Sequence, residues 1–328
     1  MPARRPKYVG MTSAPTSPTL ARPHGGCALG KLRLSRYGAH WFDRATGLNI
    51  LLDEAKVPID RWSRVPRYVS IALTNACELC CPFCYAPKVP ARLDPDRIVG
   101  WAHQLDREGA LGVGFGGGEP MAHPEFVRIC AETAAQTSMA VTFTTHGHRV
   151  TPKLAASLRG SVHFIRVSMD GIGETYERVR GRSFAAFQRQ LAIVASVAPF
   201  GLNVIVNDFT VGELDDIASF AGQVGATEVL LLPEQPVGDR PGISEAASQR
   251  LRCWVSRANH RVRLAISEAG VTDGMPTADP FPGESALEAH AHIDATGHLK
   301  ANAYAAWGVP VGDSIVNALD ELREGRVS

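Results

Sequence analysis

The chain has 328 residues, 34 Lys and Arg against 33 Asp and Glu, a formal net charge of +1 and a hydrophobic share of 45%. That balance gives no electrostatic argument for a nucleic acid or an anionic membrane as partner. No apolar run reaches the roughly 18 residues of a membrane span, and no apolar signal core follows the basic N-terminus, so a cytoplasmic location is the expectation.

Residues 1–30 carry Pro2, Pro6, Pro15, Pro18 and Pro23 among small and basic residues and no acid, and read as a disordered tail. In 31–66, Asp43 to Gly47 forms a turn followed by the apolar run Leu48 to Leu52, which predicts an N-terminal β-hairpin; Pro58 to Pro66 is a linker. A repeating pattern fills 67–267. Tyr68–Thr74 is a strand by its β-branched content. After a Cys-rich loop, Asp94 caps a helix with Pro95 at its first position, Ile98, Ala102 and Leu105 on its inner face and Gly109 at its end. Strands follow at Leu111–Phe115, Met139–Thr144, Val162–Met169, Leu202–Asn207 and Glu228–Leu232. Helices are expected near 124–136, 152–158, 184–197, 213–224 and 244–258, with a last strand near 262–267 and a long loop after Met169.

Strands alternating with helices build a parallel sheet through right-handed crossovers. Six units are too few for a closed eight-fold barrel, and fit a six-unit open barrel or a doubly wound sheet. In both, the loops at the C-terminal ends of the strands hold the chemistry. Residues 268–288 look irregular, 290–304 form a hairpin turning at Ala295-Thr296-Gly297, and Ile315–Arg323 is a terminal helix. The fold class is therefore α/β, with a short α+β extension over 268–328.

Four of the seven cysteines (Cys27, Cys77, Cys80, Cys81, Cys84, Cys130 and Cys253) fall within eight residues. An odd, clustered set argues for a metal site rather than a disulfide framework. Cys77-x3-Cys81-x2-Cys84 places three thiolates on one loop, able to hold three irons of a cubane and leave the fourth open, as catalytic sites do. The register Cys77-x2-Cys80-x3-Cys84 is the alternative. Structural zinc, the competing metal, wants four ligands, and no second Cys pair exists.

The Cys77/Cys81/Cys84 loop, with Phe83 before the third Cys, resembles the signature of the radical S-adenosylmethionine (radical SAM) superfamily. Gly116-Gly117-Gly118-Glu119-Pro120, about 30 residues on, falls where that family has its GGE motif. Ser168-Met169-Asp170-Gly171 with Arg180-Gly181 resembles a segment of its SPASM and twitch subgroup. The resemblance implies a partial (βα)6 barrel and one 4Fe–4S cluster on Cys77, Cys81 and Cys84. It implies S-adenosylmethionine (SAM) cleaved reductively to a 5′-deoxyadenosyl radical that abstracts a substrate hydrogen. It assigns Phe83, Gly117, Gly118, Glu119, Ser168, Arg180 and Asn207 to SAM, with Gly117, Gly118 and Glu119 on its amino group, Ser168 and Arg180 on its carboxylate or ribose, and Asn207 on the adenosine or the substrate. Cys80 is expected to be a bystander. A flavodoxin- or ferredoxin-type electron donor is implied.

The resemblance covers about 68–233. The subgroup's C-terminal extension supplies cysteines for auxiliary clusters, whereas here no Cys follows Cys253 and Asn302 stands near the first such position. Three functions follow: modification of a peptide, chemistry on a small metabolite such as a nucleoside or sugar intermediate, or non-enzymatic metal binding or cluster sensing. The complete SAM-pocket motif set favours an enzyme. His146, at the end of the third strand, either reaches the adenosine or the substrate or is a solvated loop residue; His123, His290, His292 and His298 read as solvated, and Trp41 and Trp101 as packing residues.

Overall fold

The structure, a computed structural model, describes residues 30–257, 262–267, 270, 271, 275, 281 and 283–325. The proline-rich segment 1–29 and much of 268–288 lie outside the described residues.

β1 (Lys31–Ser35), β2 (Gly38–Asp43) and β3 (Leu48–Leu52) form an antiparallel meander rather than a two-stranded hairpin. The Asp43–Gly47 turn is as expected, with Asp43 side-chain oxygens accepting from Ala45 N and Thr46 Oγ1. The extra strand is β1, whose Lys and Arg at alternate positions hide its strand pattern. Those cations turn inward and fasten the meander to the main domain. Lys31 pairs with Asp106, and Arg33 donates to the carbonyls of Val65 and Gly109 at 2.8 and 2.9 Å. Arg44 of the following turn donates to Ala134, Thr137 and Met139 carbonyls.

Among the described residues the main sheet holds ten strands in the order β10-β9-β8-β7-β6-β5-β4-β11-β12-β13. Its parallel part comprises β4 (Tyr68–Thr74), β5 (Gly112–Gly117), β6 (Ala140–Thr145), β7 (Phe164–Ser168), β8 (Phe200–Val206), β9 (Glu228–Pro233) and β10 (Arg263–Ile266). The helices between them are α1 (Pro95–Arg107), α2 (Phe126–Gln136), α3 (Pro152–Leu158), α4 (Glu174–Arg180), α5 (Phe184–Ala195), α6 (Leu214–Gln223) and α7 (Glu245–Val255). Asp94 caps α1 as expected, its Oδ1 accepting from Asp96 N and Arg97 N, both at 3.0 Å. The segment after β7 is helical as α4, where the sequence suggested only loop.

The period-2 geometry of strands splits the parallel residues into two faces. Val69, Ile71, Leu73, Val113, Phe115, Val141, Phe143, Ile165, Val167, Leu202, Val204, Val229 and Leu231 are buried in one hydrophobic core. The other face is mixed and concave: Ser70, three glycines of β5, Thr142, Thr144, Arg166, Ser168, Asn203, Glu228 and Leu230 line a cavity of about 980 Å³. His40, Phe42 and Asn49 of the meander join that lining near the N-terminal ends of the strands, on the same rim that Arg44 grips.

The C-terminal hairpin is part of this same sheet. β11 (His290–Ile293) pairs parallel with β4, and β12 (His298–Lys300) and β13 (Val309–Pro310) continue it antiparallel. α8 (Ala286–Ala289) precedes the hairpin and α9 (Ile315–Glu324) ends the described chain. Gln104 of α1 holds the extension from both ends of its amide, donating to Asp313 O and accepting from Ile315 N at 2.8 and 2.9 Å.

Candidate functional site

The loop after β4 brings Cys77, Cys81 and Cys84 to the cavity, together with Phe83. Cys80 is exposed and does not line it. A tight turn, Cys84 N donating to Cys81 O at 3.2 Å, sets the last two thiols. Cys77 Sγ accepts from Leu79 N at 3.4 Å, and Cys81 Sγ from Arg180 Nη1 at 3.4 Å. Burial raises the pKa of Cys77 and Cys81 from the ordinary thiol value, the Arg180 charge opposing the rise at Cys81. Both thiols therefore hold protons that iron would displace.

The glycine turn after β5 lies directly on this loop. Gly118 N donates to Thr74 O at 2.7 Å and Glu119 N to Ala76 O at 2.8 Å. A Cβ on Gly117, which has φ +117°, would stand 2.2 Å from Thr74 O, and one on Gly118 would stand 2.4 Å from Ala76 O. These glycines thus permit close approach to the cysteine-loop backbone, as well as lining the cavity.

Glu119 departs from its expected place. Its side chain is fully buried, does not line the cavity, and points at the end of β6. Its carboxylate accepts from Thr145 Oγ1 at 3.0 Å, His146 N at 3.1 Å and Met121 N at 3.3 Å. Burial pushes its pKa up to about 7, against those hydrogen bonds. The protein itself thus supplies three donor groups to this carboxylate. His146 is buried rather than solvated, 4% exposed. Its Nε2 lies 3.2 Å from Glu119 and 3.4 Å from Glu78 yet makes no hydrogen bond.

Asn207 also departs from expectation. Its Oδ1 accepts from Phe209 N and Thr210 N at 3.0 and 3.2 Å, and its Nδ2 donates to Glu234 at 2.7 Å. The amide is spent on its own loop and is not on the cavity wall. Asn203, two turns of the pleat earlier, is the β8 amide that faces inward.

Ser168 lines the cavity, and among the described residues its hydroxyl has no hydrogen-bond partner. Arg180 ends α4, a helix closed by Gly181 in the left-handed conformation. Its guanidinium pairs with Asp170, 1% exposed, and lies 5.7 Å from the Phe83 ring centroid. Arg180 Nε is buried without a partner. Asp170 accepts from Ile205 N at 2.7 Å, tying α4 to β8. Three free thiols at a cavity, with unpartnered buried nitrogens on Arg180 and His146 beside them, fit a ligand-holding centre with soft metal donors on one side and polar donors on the other. Cys77, Glu78 and His146 also lie close enough to share a metal ion. His290 and His292 on β11, read from the sequence as unremarkable, are further cavity residues; their i, i+2 spacing on a predicted strand was the available signal.

An open parallel α/β half-barrel with its cysteines and glycine turn at the C-terminal strand ends defines a class of cofactor-binding domain. Residues 71–220, a little under half of the chain, match the radical SAM superfamily. That family uses a 4Fe–4S cluster and SAM. The chain is 34% identical over 163 residues to mycofactocin maturase MftC of Mycobacterium ulcerans, covering 47% of this chain and 44% of that protein. It is 30% identical over 182 residues to PqqA peptide cyclase of Gluconobacter oxydans, covering 53% and 51%. The match thus spans about half the length of these curated relatives. Among solved structures, Streptococcus suis SuiB bound to its precursor peptide SuiA superposes with a TM-score of 0.65 at 12% identity, over 89% of this chain and 86% of that one. Native anSMEcpe with bound AdoMet gives 0.60 at 14% identity, over 78% and 82%. These two likenesses show the fold. Among the described residues no helix is long and apolar enough to cross a membrane.

Proposed function

We propose that this protein is a radical SAM enzyme that modifies a peptide. The observation that carries the reading is the convergence of Cys77, Cys81, Cys84, the Gly117-Gly118 turn, Ser168 and Arg180 on one cavity. Cys77, Cys81 and Cys84 would hold the cluster; exposure of Cys80 supports that register over the alternative. When bound, the cluster and SAM supply one-electron cleavage and a 5′-deoxyadenosyl radical able to take a hydrogen atom.

The chain's own residues orient and shield. Arg180 presents paired donors suited to a carboxylate, and Asp170 holds that guanidinium in place. Ser168 offers an uncommitted hydroxyl. Phe83 packs beside the thiols. Glu119 acts indirectly, fixing the Thr145–His146 turn against the glycine loop. The half-barrel wall extends the cavity well past the thiols, room that a substrate segment needs. Peptide chemistry is supported by the relatives, a maturase and a peptide cyclase by name, and by SuiB with its bound peptide. We assign the chain a cytoplasmic location and a flavodoxin- or ferredoxin-type reductant.

A deuterated precursor peptide, offered to the reconstituted protein with SAM and reductant, is expected to pass deuterium into 5′-deoxyadenosine. SAM cleavage that no peptide stimulates, with no deuterium transferred, would refute the peptide half of this reading.

A further inference from the structure

Arg180 is fastened to the cysteine loop before any ligand binds. Its Nη1 donates to Cys81 Sγ at 3.4 Å. Its Nη2 pairs with the Asp170 carboxylate, which is 1% exposed and itself accepts from Ile205 N at 2.7 Å. The guanidinium carbon lies 5.7 Å from the Phe83 ring centroid. The helix that carries Arg180 is tied down at its other end. There Glu213 accepts from Ile172 N at 2.8 Å and from Thr175 Oγ1 at 2.5 Å. Gly181, in the left-handed conformation, ends that helix directly after Arg180.

The thiols stand in unequal surroundings. Cys77 Sγ accepts from a neutral backbone donor, Leu79 N, at 3.4 Å. A Glu78 carboxylate oxygen and a His146 ring nitrogen lie within 4.8 Å of that sulfur. His146 brings no positive charge there. Its Nδ1 accepts from His148 N at 3.1 Å, so the ring is not doubly protonated. Among the described residues, Cys81 alone has a cationic donor on its sulfur. That donor keeps its proton, because a guanidinium stays charged in proteins. The positive member of the Arg180–Asp170 pair is the one that touches sulfur.

Net charge and hydrogen bonds to the sulfurs set the potential of an iron–sulfur cluster. Reduction adds one negative charge to the cluster and its thiolates. A cation already bonded to one thiolate therefore stabilises the reduced state more than the oxidised one.

We propose that Arg180 tunes the cluster's redox equilibrium: its Nη1–H bond to the Cys81 thiolate raises the reduction potential, and Asp170 is the positioning residue that holds it there. The inference rests on Cys77, Cys81 and Cys84 holding the cluster, and it gives Arg180 a role separate from contact with SAM. The step governed is the passage of one electron from the external reductant to the cluster, with no proton moved.

The test uses the full-length chain with its cluster reconstituted and SAM left out. Midpoint potentials come from dithionite titrations followed by electron paramagnetic resonance. The main variant is R180M with D170N, which removes the donor without stranding a buried charge. Loss of a charge-assisted bond that strengthens on reduction should lower the equilibrium constant for reduction roughly tenfold, ~59 mV for a one-electron couple. D170N alone removes the neutralising anion and should leave the potential at or above the wild-type value. A second readout is direct: reduced wild type labelled with 15N-arginine should show a nitrogen hyperfine coupling to the cluster, absent in the double variant. Equal potentials in wild type and double variant, or no 15N coupling in the wild type, would overturn the proposal. Deuterium transfer from the peptide alongside equal potentials would sink this inference alone. A shifted potential with 15N coupling but no deuterium transfer would sink the peptide reading alone. A wild type that holds no reducible 4Fe–4S cluster would overturn both.

Discussion

Replacing Arg180 with methionine keeps the length of the side chain and removes its charge. Asp170, 1% exposed, would then keep one protein hydrogen bond, from Ile205 N at 2.7 Å, and no cation. Removing one partner of a buried ion pair costs about 3–5 kcal/mol, because the remaining charge is stranded away from water. Desolvation already raises the Asp170 pKa and Arg180 opposes that rise, so the stranded carboxyl escapes part of the cost by taking up a proton. We therefore expect R180M to lose about 3 kcal/mol in urea unfolding of the cluster-free chain, at the low end of that range. The pair R180M with D170N should recover most of this loss, since neither charge remains. SAM affinity, measured by calorimetry, should stay low in both variants. A single-variant loss below about 1 kcal/mol, the size of an exposed pair, would refute the buried coupling. Wild-type SAM affinity in the double variant would remove Arg180 from the cofactor site.

Cys81→Ala should abolish iron and sulfide retention while Cys80→Ser keeps it, as elemental analysis after anaerobic reconstitution would report; the opposite pattern moves the third ligand to Cys80. Glu119→Ala should destabilise the fold by about 2–3 kcal/mol by stranding Thr145 Oγ1 and His146 N, and weaken SAM binding through the displaced turn with iron content unchanged; thermal melting and calorimetry separate the two. His163, His290 and His292 have pKa values pushed down to about 4 from 6.5 by burial. The unfolded chain binds protons first, so their stabilisation is complete above pH 6.5 and is lost as the pH falls from 6.5 towards 4. The melting temperature of the cluster-free chain should fall over that window, and His163→Gln should flatten part of the slope; an unchanged slope would contradict burial as its cause.

Much of this architecture was legible because it is local. Tyr68–Thr74 announces itself by β-branched composition, and Asp94-Pro95 by capping chemistry. The turn at Ala295–Gly297 needs only its glycine. The cysteine spacing is local too, and it named the cluster loop. What escaped depended on tertiary placement. β1 carries Lys31 and Arg33 on its inner face, where carbonyls and Asp106 satisfy them, so its pattern reads as polar. α4 follows two glycines and buries only Thr175 and Tyr176, too few for a helical period to emerge. Motif position alone could not show that the Glu119 carboxylate, two residues past the end of β5, also takes donors from Thr145, His146 and Met121. Nor could it show that the Asn207 amide closes its own loop. His292 gained meaning only once β11 was seen beside β4, a pairing separated by more than 200 residues in sequence.

The most direct test of the account is 5′-deoxyadenosine formation by the anaerobically reconstituted protein with SAM and dithionite, with Cys81→Ala run alongside and precursor peptide present and absent. The account predicts product in the wild type, stimulated by peptide, and none in the variant. A wild type carrying a full 4Fe–4S cluster that yields no product under either condition would contradict it.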